Sequence, residues 1–98
     1  MTAAAKNVLG RSGVSIEDIK CIIPHQANQR IISAIGDRLG AREDQVFVNL
    51  QKYGNTSAAS VAVALDEALS SGKIERGDKI LIIAFGAGLT WGATVLEW

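Results

Sequence analysis

The sequence has little of several residue types, and each shortage excludes a class of protein. A single cysteine among 98 residues leaves no internal disulfide framework and mildly favours a reducing compartment. Ten acidic residues balance ten basic ones, and no stretch carries five or more like charges, so the clustered cations of a nucleic-acid surface are missing. The longest apolar stretch, residues 80–89, is far short of a membrane span.

Targeting and metal signals are equally scarce. The N-terminus has no continuous apolar segment of the kind found in a signal peptide. With one histidine, one cysteine and no clustered carboxylates, the chain offers no metal-ligand spacing, and we expect no bound metal. The composition therefore predicts one cytoplasmic globular domain, residues 1–98, whose core is built from Ile, Val, Leu and Ala rather than from aromatic residues.

Hydrophobic periodicity predicts an α/β domain with the element order α-β-α-β-α-β-β. Right-handed crossovers make the first three strands parallel, and the tight turn before the last strand makes that strand antiparallel. The first helix is expected to end near Gly10 and Gly13, the usual stop residues. The predicted helices cover residues 2–9, 27–39 and 57–69, and the predicted strands cover residues 20–23, 45–50, 79–85 and 90–98.

Short polar runs follow the first two predicted strands and lie at the same edge of the predicted sheet. His25 is in the first run, at residues 24–28, and Asn55 is in the second, at residues 53–57. The carboxyl ends of parallel strands are where open α/β sheets place ligand chemistry. An imidazole and a carboxamide side by side can both donate hydrogen bonds to one oxygen atom. This pairing predicts an oxyanion hole.

Two other candidate sites fail on local chemistry. Cys21 lies inside a predicted strand, without a basic partner or a helix N-terminus to stabilise a thiolate, so we interpret it as a packing residue. The glycines at 86, 88 and 92 are spaced one residue too widely for a dinucleotide-binding loop, and no helix follows them.

Three segments, residues 24–32, 54–60 and 84–92, together resemble β-ketoacyl-acyl-carrier-protein synthase III in order and spacing. This family of thiolase-fold condensing enzymes starts type II fatty acid synthesis. The resemblance extends over essentially all 98 residues but over only about the C-terminal third of the family's chain. It implies half of a thiolase fold with a mixed, mostly parallel sheet, and it implies that the N-terminal half carrying the nucleophile is absent.

The resemblance also implies a reaction. The family condenses an acyl-CoA with malonyl-acyl carrier protein and releases carbon dioxide, with no cofactor. By resemblance His25 and Asn55 donate to the thioester oxygen, Phe85 lies beside the malonyl carboxylate, and the backbone N–H of Ala87 helps to hold the acyl oxygen. The residues that match the carrier-protein and pantetheine contacts are Gln26, Ala27, Asn28, Gln29 and Arg30.

Because Cys21 cannot act as the family's nucleophile, we expect these residues alone to be inactive in condensation. We also expect the helix at 57–69, which is apolar on nearly every side, to pair with the missing half or with another copy of the chain. Two alternatives remain open. One is half of a related polyketide-type or quinolone-type condensing enzyme, and the other is a non-catalytic domain that binds carrier protein.

Overall fold

The structure is a computed structural model, and it describes residues 2–26, 29–49, 59–86 and 90–98. It confirms the α/β class. The helices are α1 (Thr2–Ser12), α2 (Gln29–Leu39) and α3 (Ala59–Ser70), with single 3₁₀ turns at Ile16–Asp18 and Glu43–Gln45. The strands are β1 (Ile19–Pro24), β2 (Lys79–Gly86) and β3 (Thr90–Glu97).

The sheet has the order β1-β2-β3, with β2 in the centre. The strands β1 and β2 are parallel, with Ile22 opposite Leu81, and β3 returns antiparallel to β2. Both orientations are those that the sequence predicts. The carboxyl ends of β1 and β2 therefore lie at one edge of the sheet, and the loop that begins with His25 starts there.

Side chains alternate along the strands and divide the core into two layers. Ile22 and Leu81 face a cluster that includes Ala5 and Leu9 of α1. Cys21, Ile23 and Ile80 face a second cluster with Ala64 and Ala68 of α3. This alternation follows from the two-residue period of a strand, and near-continuous apolar strands are expected where helices cover both faces of a sheet.

The strand expected at residues 45–50 is wrong in its extent. Gln45 ends a 3₁₀ turn, and among residues 45–49 the pairing with β1 is a single parallel bridge between Ile22 and Val46. One backbone bond, from the N–H of Phe47 to the oxygen of Ile22 at 2.9 Å, supports this bridge.

A buried glutamine supplies part of the missing attachment. Gln45 is 2% exposed, and its amide nitrogen donates to the carbonyl oxygens of Ile16 at 2.8 Å and Ile19 at 2.7 Å. Its amide oxygen accepts from the backbone N–H of Arg42 at 2.7 Å. The segment is therefore attached to β1 through side-chain as well as ladder hydrogen bonds, which the apolar pattern of 46–48 does not reveal.

The helices differ from expectation mainly at their ends. Gly10 lies inside α1, which continues to Ser12 and is followed by Gly13, a residue with φ of 70°. The first helix is short and packs against β3, consistent with the marginal stability of an isolated short helix. Gly40, with φ of 71°, ends α2 as predicted. Within the described residues, every helix is too short or too polar for a transmembrane span.

The burial of α3 within the chain decides how much of its apolar surface is left for the expected self-association. One line of the helix, formed by Ser60, Ala64 and Ala68, is fully buried against the sheet. Val61, Leu65 and Leu69 are half-buried beside it. Among the described residues, the large hydrophobic side chain that is strongly exposed is that of Trp98, which is 47% exposed. Pairing through α3 stays a prediction.

Candidate functional site

His25 is fixed at the end of β1 by its backbone and by its ring. Its N–H donates to the carbonyl oxygen of Ile83 at 2.8 Å, which continues the pairing of β1 with β2 by one residue. The side chain is 8% exposed. A histidine held in this way at the carboxyl end of a parallel strand has a defined position relative to the sheet.

Ser60, the second residue of α3, contacts the His25 ring directly. Its Oγ lies 3.0 Å from Nδ1 of His25 and accepts a hydrogen bond from the backbone N–H of Gln26 at 3.2 Å. The side chain of Ser60 is 1% exposed. The start of α3, which follows the second polar run in sequence, is thus brought against the first polar run.

Gln26 is an interior residue, which corrects the expectation that it contacts a carrier protein. It is 1% exposed, and its amide nitrogen donates to the carbonyl oxygens of Pro24 at 2.8 Å and Phe47 at 3.2 Å. Its amide oxygen accepts from the backbone N–H of Asn49 at 3.0 Å. All of these bonds are within the chain, so we assign Gln26 to support of the His25 loop rather than to docking.

Two other expected docking residues lie at the surface. Gln29 and Arg30 form the exposed first turn of α2, and the side chain of Gln29 donates to Ser33 at 3.2 Å. An exposed cation at the start of a helix is sterically open to a large acidic partner. The docking role of Arg30 and Gln29 stays a prediction.

Several expected site residues fall outside the described structure. Asn55, Ala87, Ala27 and Asn28 are among the residues that it does not describe. Phe85 belongs to β2, where its backbone pairs with that of Trp91. The expected convergence of His25 with Asn55 therefore stays a prediction, supported so far by the contact between His25 and Ser60.

Cys21 is confirmed as a packing residue. It is completely buried in the cluster under α3, and this burial raises the pKa of its thiol to about 11. The expectation that it has no basic partner is wrong, because Lys73 and Lys20 act to lower this pKa, but they offset the effect of burial only in part. A thiol with so high a pKa is almost entirely protonated near neutral pH and is a poor nucleophile. Across the described ranges, no three His, Cys, Asp or Glu side chains come together as metal ligands.

The residues that sequence reasoning missed are those behind His25. Ser60 closes the Gly-Asn-Thr-Ser-Ala-Ala-Ser run, but a serine in an alanine-rich helix gives no sign of a partner 35 residues away. Asn49 is 3% exposed, and its Nδ2 has no hydrogen-bond partner in the described chain. Its position after an apolar run at 46–48 resembles a simple strand end.

Comparison with a protein-family model and with curated proteins points to the same family. The family model described as 3-oxoacyl-[acyl-carrier-protein (ACP)] synthase III C terminal matches residues 9–98. The β-ketoacyl-[acyl-carrier-protein] synthase III of Caldanaerobacter subterraneus subsp. tengcongensis is 58% identical over all of this chain and 30% of its own length. The chain thus spans about 30% of the length of these curated relatives.

Solved structures agree with the sequence matches. The crystal structure of 3-oxoacyl-[acyl-carrier-protein] synthase III from Aquifex aeolicus VF5 superposes with a TM-score of 0.98 at 52% identity, covering 100% of this chain and 32% of that one. The priming β-ketosynthase of the R1128 polyketide pathway gives a TM-score of 0.91 at 43% identity, covering 98% of this chain and 29% of that one. These superpositions confirm the expected half of a thiolase fold.

Proposed function

Because the chain belongs to the family of 3-oxoacyl-[acyl-carrier-protein] synthase III C-terminal domains, we propose that it supplies the oxyanion-stabilising half of a condensing enzyme. This enzyme starts fatty acid synthesis by joining an acyl-CoA to malonyl-acyl carrier protein. The observation that carries the proposal is the placement of His25, which is fixed at the carboxyl end of β1 and held at Nδ1 by Ser60.

The chemistry requires hydrogen-bond donors at one oxygen. When the bond between the malonyl α-carbon and its carboxylate breaks, carbon dioxide leaves and the electron pair forms an enolate whose charge lies on the thioester oxygen. His25, through Nε2–H, and Asn55, through its amide N–H, are the proposed donors to that oxygen. The enolate carbon then attacks the enzyme-bound acyl thioester and displaces the thiolate. Preorganised donors of this kind are worth about 10²–10³ in rate each.

The remaining site residues have supporting roles in the proposal. Phe85 gives the malonyl carboxylate an apolar neighbour, which disfavours the charged group relative to neutral carbon dioxide. The backbone N–H of Ala87 helps to hold the acyl oxygen. Ala27 and Asn28 line the path of the pantetheine arm, and the exposed Arg30 beside Gln29 steers the acidic carrier protein toward it.

The nucleophile must come from outside these 98 residues. Cys21, the chain's one cysteine, is buried under α3, and its thiol pKa of about 11 disfavours a thiolate. We therefore propose that the chain works together with a half that carries the reactive cysteine, and that the 98 residues alone do not condense acyl-CoA with malonyl-acyl carrier protein.

A chimera tests this function. The C-terminal 32% of the Aquifex aeolicus enzyme, which superposes on this chain at a TM-score of 0.98, is replaced by these 98 residues. We expect the chimera to condense acetyl-CoA with malonyl-acyl carrier protein and the chain alone to show no turnover. A chimera that folds but has no condensing activity would contradict the proposal, as would turnover by the chain alone.

A second candidate function is polyketide priming, which the likeness to the R1128 priming β-ketosynthase favours. The same catalytic residues would serve, and the difference would lie in the acyl starter. Competition between acetyl-CoA and longer acyl-CoAs, in an active enzyme that joins this chain to a nucleophile-bearing half, would distinguish the two: preference for acetyl-CoA favours fatty acid synthesis, and preference for longer acyl-CoAs favours polyketide priming.

A further inference from the structure

The segment at residues 46–48 turns one side of its backbone toward β1 and the other side away from the sheet. The N–H of Phe47 donates to the carbonyl oxygen of Ile22 at 2.9 Å, and the carbonyl oxygen of Phe47 accepts from the side-chain amide of Gln26 at 3.2 Å. Because successive residues of an extended segment direct their backbone groups to opposite sides, those of Val48 point away from β1. Within the described residues, neither the N–H nor the carbonyl oxygen of Val48 has a hydrogen-bond partner. The sheet therefore has an unpaired edge at Val48.

An apolar groove accompanies this edge. The groove has a volume of about 740 Å³ and lies between α2 and the segment at residues 46–48. Its apolar lining includes Ile32 of α2 together with Val46 and Val48. Both valines are only half-buried within the chain, so part of their apolar surface is open to a partner. An unpaired edge beside such a groove is suited to the addition of another strand.

We propose that the edge at Val48 pairs antiparallel with the same edge of a second copy of this chain, about a two-fold axis that places Val48 opposite Val48. In this register the N–H of each Val48 donates to the carbonyl oxygen of the other, so one contact satisfies both groups in both copies. Directly opposite side chains lie on the same face of a sheet. The two Val48 side chains therefore meet on the face that α2 covers, where the two grooves join.

The charges around the groove favour a second copy over a charged peptide as the partner. Two acidic side chains, Asp37 and Glu43, and two basic side chains, Arg42 and Lys73, line the groove. A partner with one sign of charge would meet repulsion as well as attraction there, whereas the two-fold axis brings a balanced set of charges against itself. The whole chain has ten acidic and ten basic residues, so no net charge opposes the approach of two copies.

Sedimentation velocity of the chain alone tests the association. An interface of a few residues on each side is at the low end of specific contacts, so we expect a dimer with a dissociation constant of about 10–100 µM. Samples at about 5 µM and about 500 µM would then be mainly monomer and mainly dimer, respectively. A chain that stays monomeric at the higher concentration would overturn the proposal.

Substitutions at Val48 test the backbone contact. Val48→Pro removes the N–H that each copy donates but breaks no hydrogen bond within the described chain. The loss of two hydrogen bonds should raise the dissociation constant by about 10–100-fold. Val48→Ile, the control, keeps the N–H and the branched side chain and should change the constant by less than about 3-fold. If the proline variant does not fold, Val48→Lys decides instead, because it places two like charges opposite each other and should also abolish the dimer.

A variant on α3 separates this contact from pairing through that helix. Ala62 lies on the exposed side of α3, so Ala62→Lys puts a charge on that surface without disturbing the core. We expect Ala62→Lys to dimerise like the unsubstituted chain. A dimer that Ala62→Lys abolishes and Val48→Pro retains would assign the association to α3 and overturn the proposal.

Amide hydrogen exchange followed by NMR locates the contact. The N–H of Val48 should exchange about 5-fold more slowly at the higher protein concentration, where pairing shields it. The N–H of Phe47, which is already bonded to Ile22, should be protected at both concentrations. An exchange rate at Val48 that does not depend on concentration, although the chain dimerises, would overturn the proposal. None of these measurements uses substrate, so their outcome is independent of the proposed function.

Discussion

Replacement of Gln26 by methionine should be among the most destabilising single changes in this chain. Methionine has nearly the same length and shape but lacks both the amide donors and the amide acceptor. The change would remove the bonds to Pro24, Phe47 and Asn49, at 2.8, 3.2 and 3.0 Å. Each net hydrogen bond is worth about 1 kcal/mol, and a buried partner left unpaired costs about 1–3 kcal/mol.

The sum sets the expected size of the effect. Three lost bonds, with at least one buried backbone partner left unpaired, give a loss of about 4–6 kcal/mol in the free energy of unfolding. Domains of this size are stable by only about 5–15 kcal/mol, so Gln26→Met should remove a large part of the total. At a urea m-value of about 1.5 kcal/mol/M, a loss of about 4 kcal/mol lowers the unfolding midpoint by about 2.7 M.

Gln29→Met is the matched control for this experiment. It makes the same chemical change at an exposed position on α2, where the side chain has one bond, to Ser33. Methionine and glutamine have similar helix propensities, so the control should shift stability by less than about 0.5 kcal/mol. Urea unfolding followed by circular dichroism measures both variants. Equal unfolding midpoints for the two variants would refute the role in supporting the His25 loop that we assign to Gln26.

Two further predictions concern glycines and the buried thiol. Gly10→Ala, inside α1 with open space around the added Cβ, should stabilise the chain by about 0.5–1 kcal/mol. Gly40→Ala, at φ of 71°, should destabilise it by about 1–2 kcal/mol, and thermal unfolding of the two variants in parallel would show opposite shifts in Tm. Burial raises the pKa of Cys21 from the ordinary thiol value of 9.0 to about 11. The thiol's contribution to stability is therefore complete below about pH 9 and falls as the pH rises through about 11, by up to about 3 kcal/mol. Cys21→Ala should lack that part of the alkaline loss, and an identical decline in both proteins would contradict the burial effect.

The strands β1 and β2 were predictable because their side chains are almost all apolar. The run at 79–85 is hydrophobic enough to be buried on both faces, and the structure places helices on both sides of β2. His25 was a candidate for the same reason, since a polar residue directly after such a strand must lie at the sheet edge. The local sequence pattern was sufficient to predict the structure where apolar residues are buried and polar residues lie at the edge of the sheet.

The prediction failed where polar side chains form the interior. Gln26 and Gln45 are buried because their amides satisfy backbone groups that a regular strand would have paired. Nothing in the one-dimensional pattern distinguishes such a glutamine from a surface one. Ser60 was missed because its partner, His25, is 35 residues away in the sequence, and the two residues come into contact only in the folded chain.

The convergence of His25 and Asn55 on one oxygen is tested most directly by decarboxylation of malonyl-acyl carrier protein in the chimera. His25→Ala and Asn55→Ala should each lower the single-turnover rate by about 10²–10³. The double variant should lose much less than the product of the two, because groups that act as a unit have non-additive effects. A rate within a few-fold of the unsubstituted chimera in either single variant would contradict the shared site, and so would single losses that simply multiply.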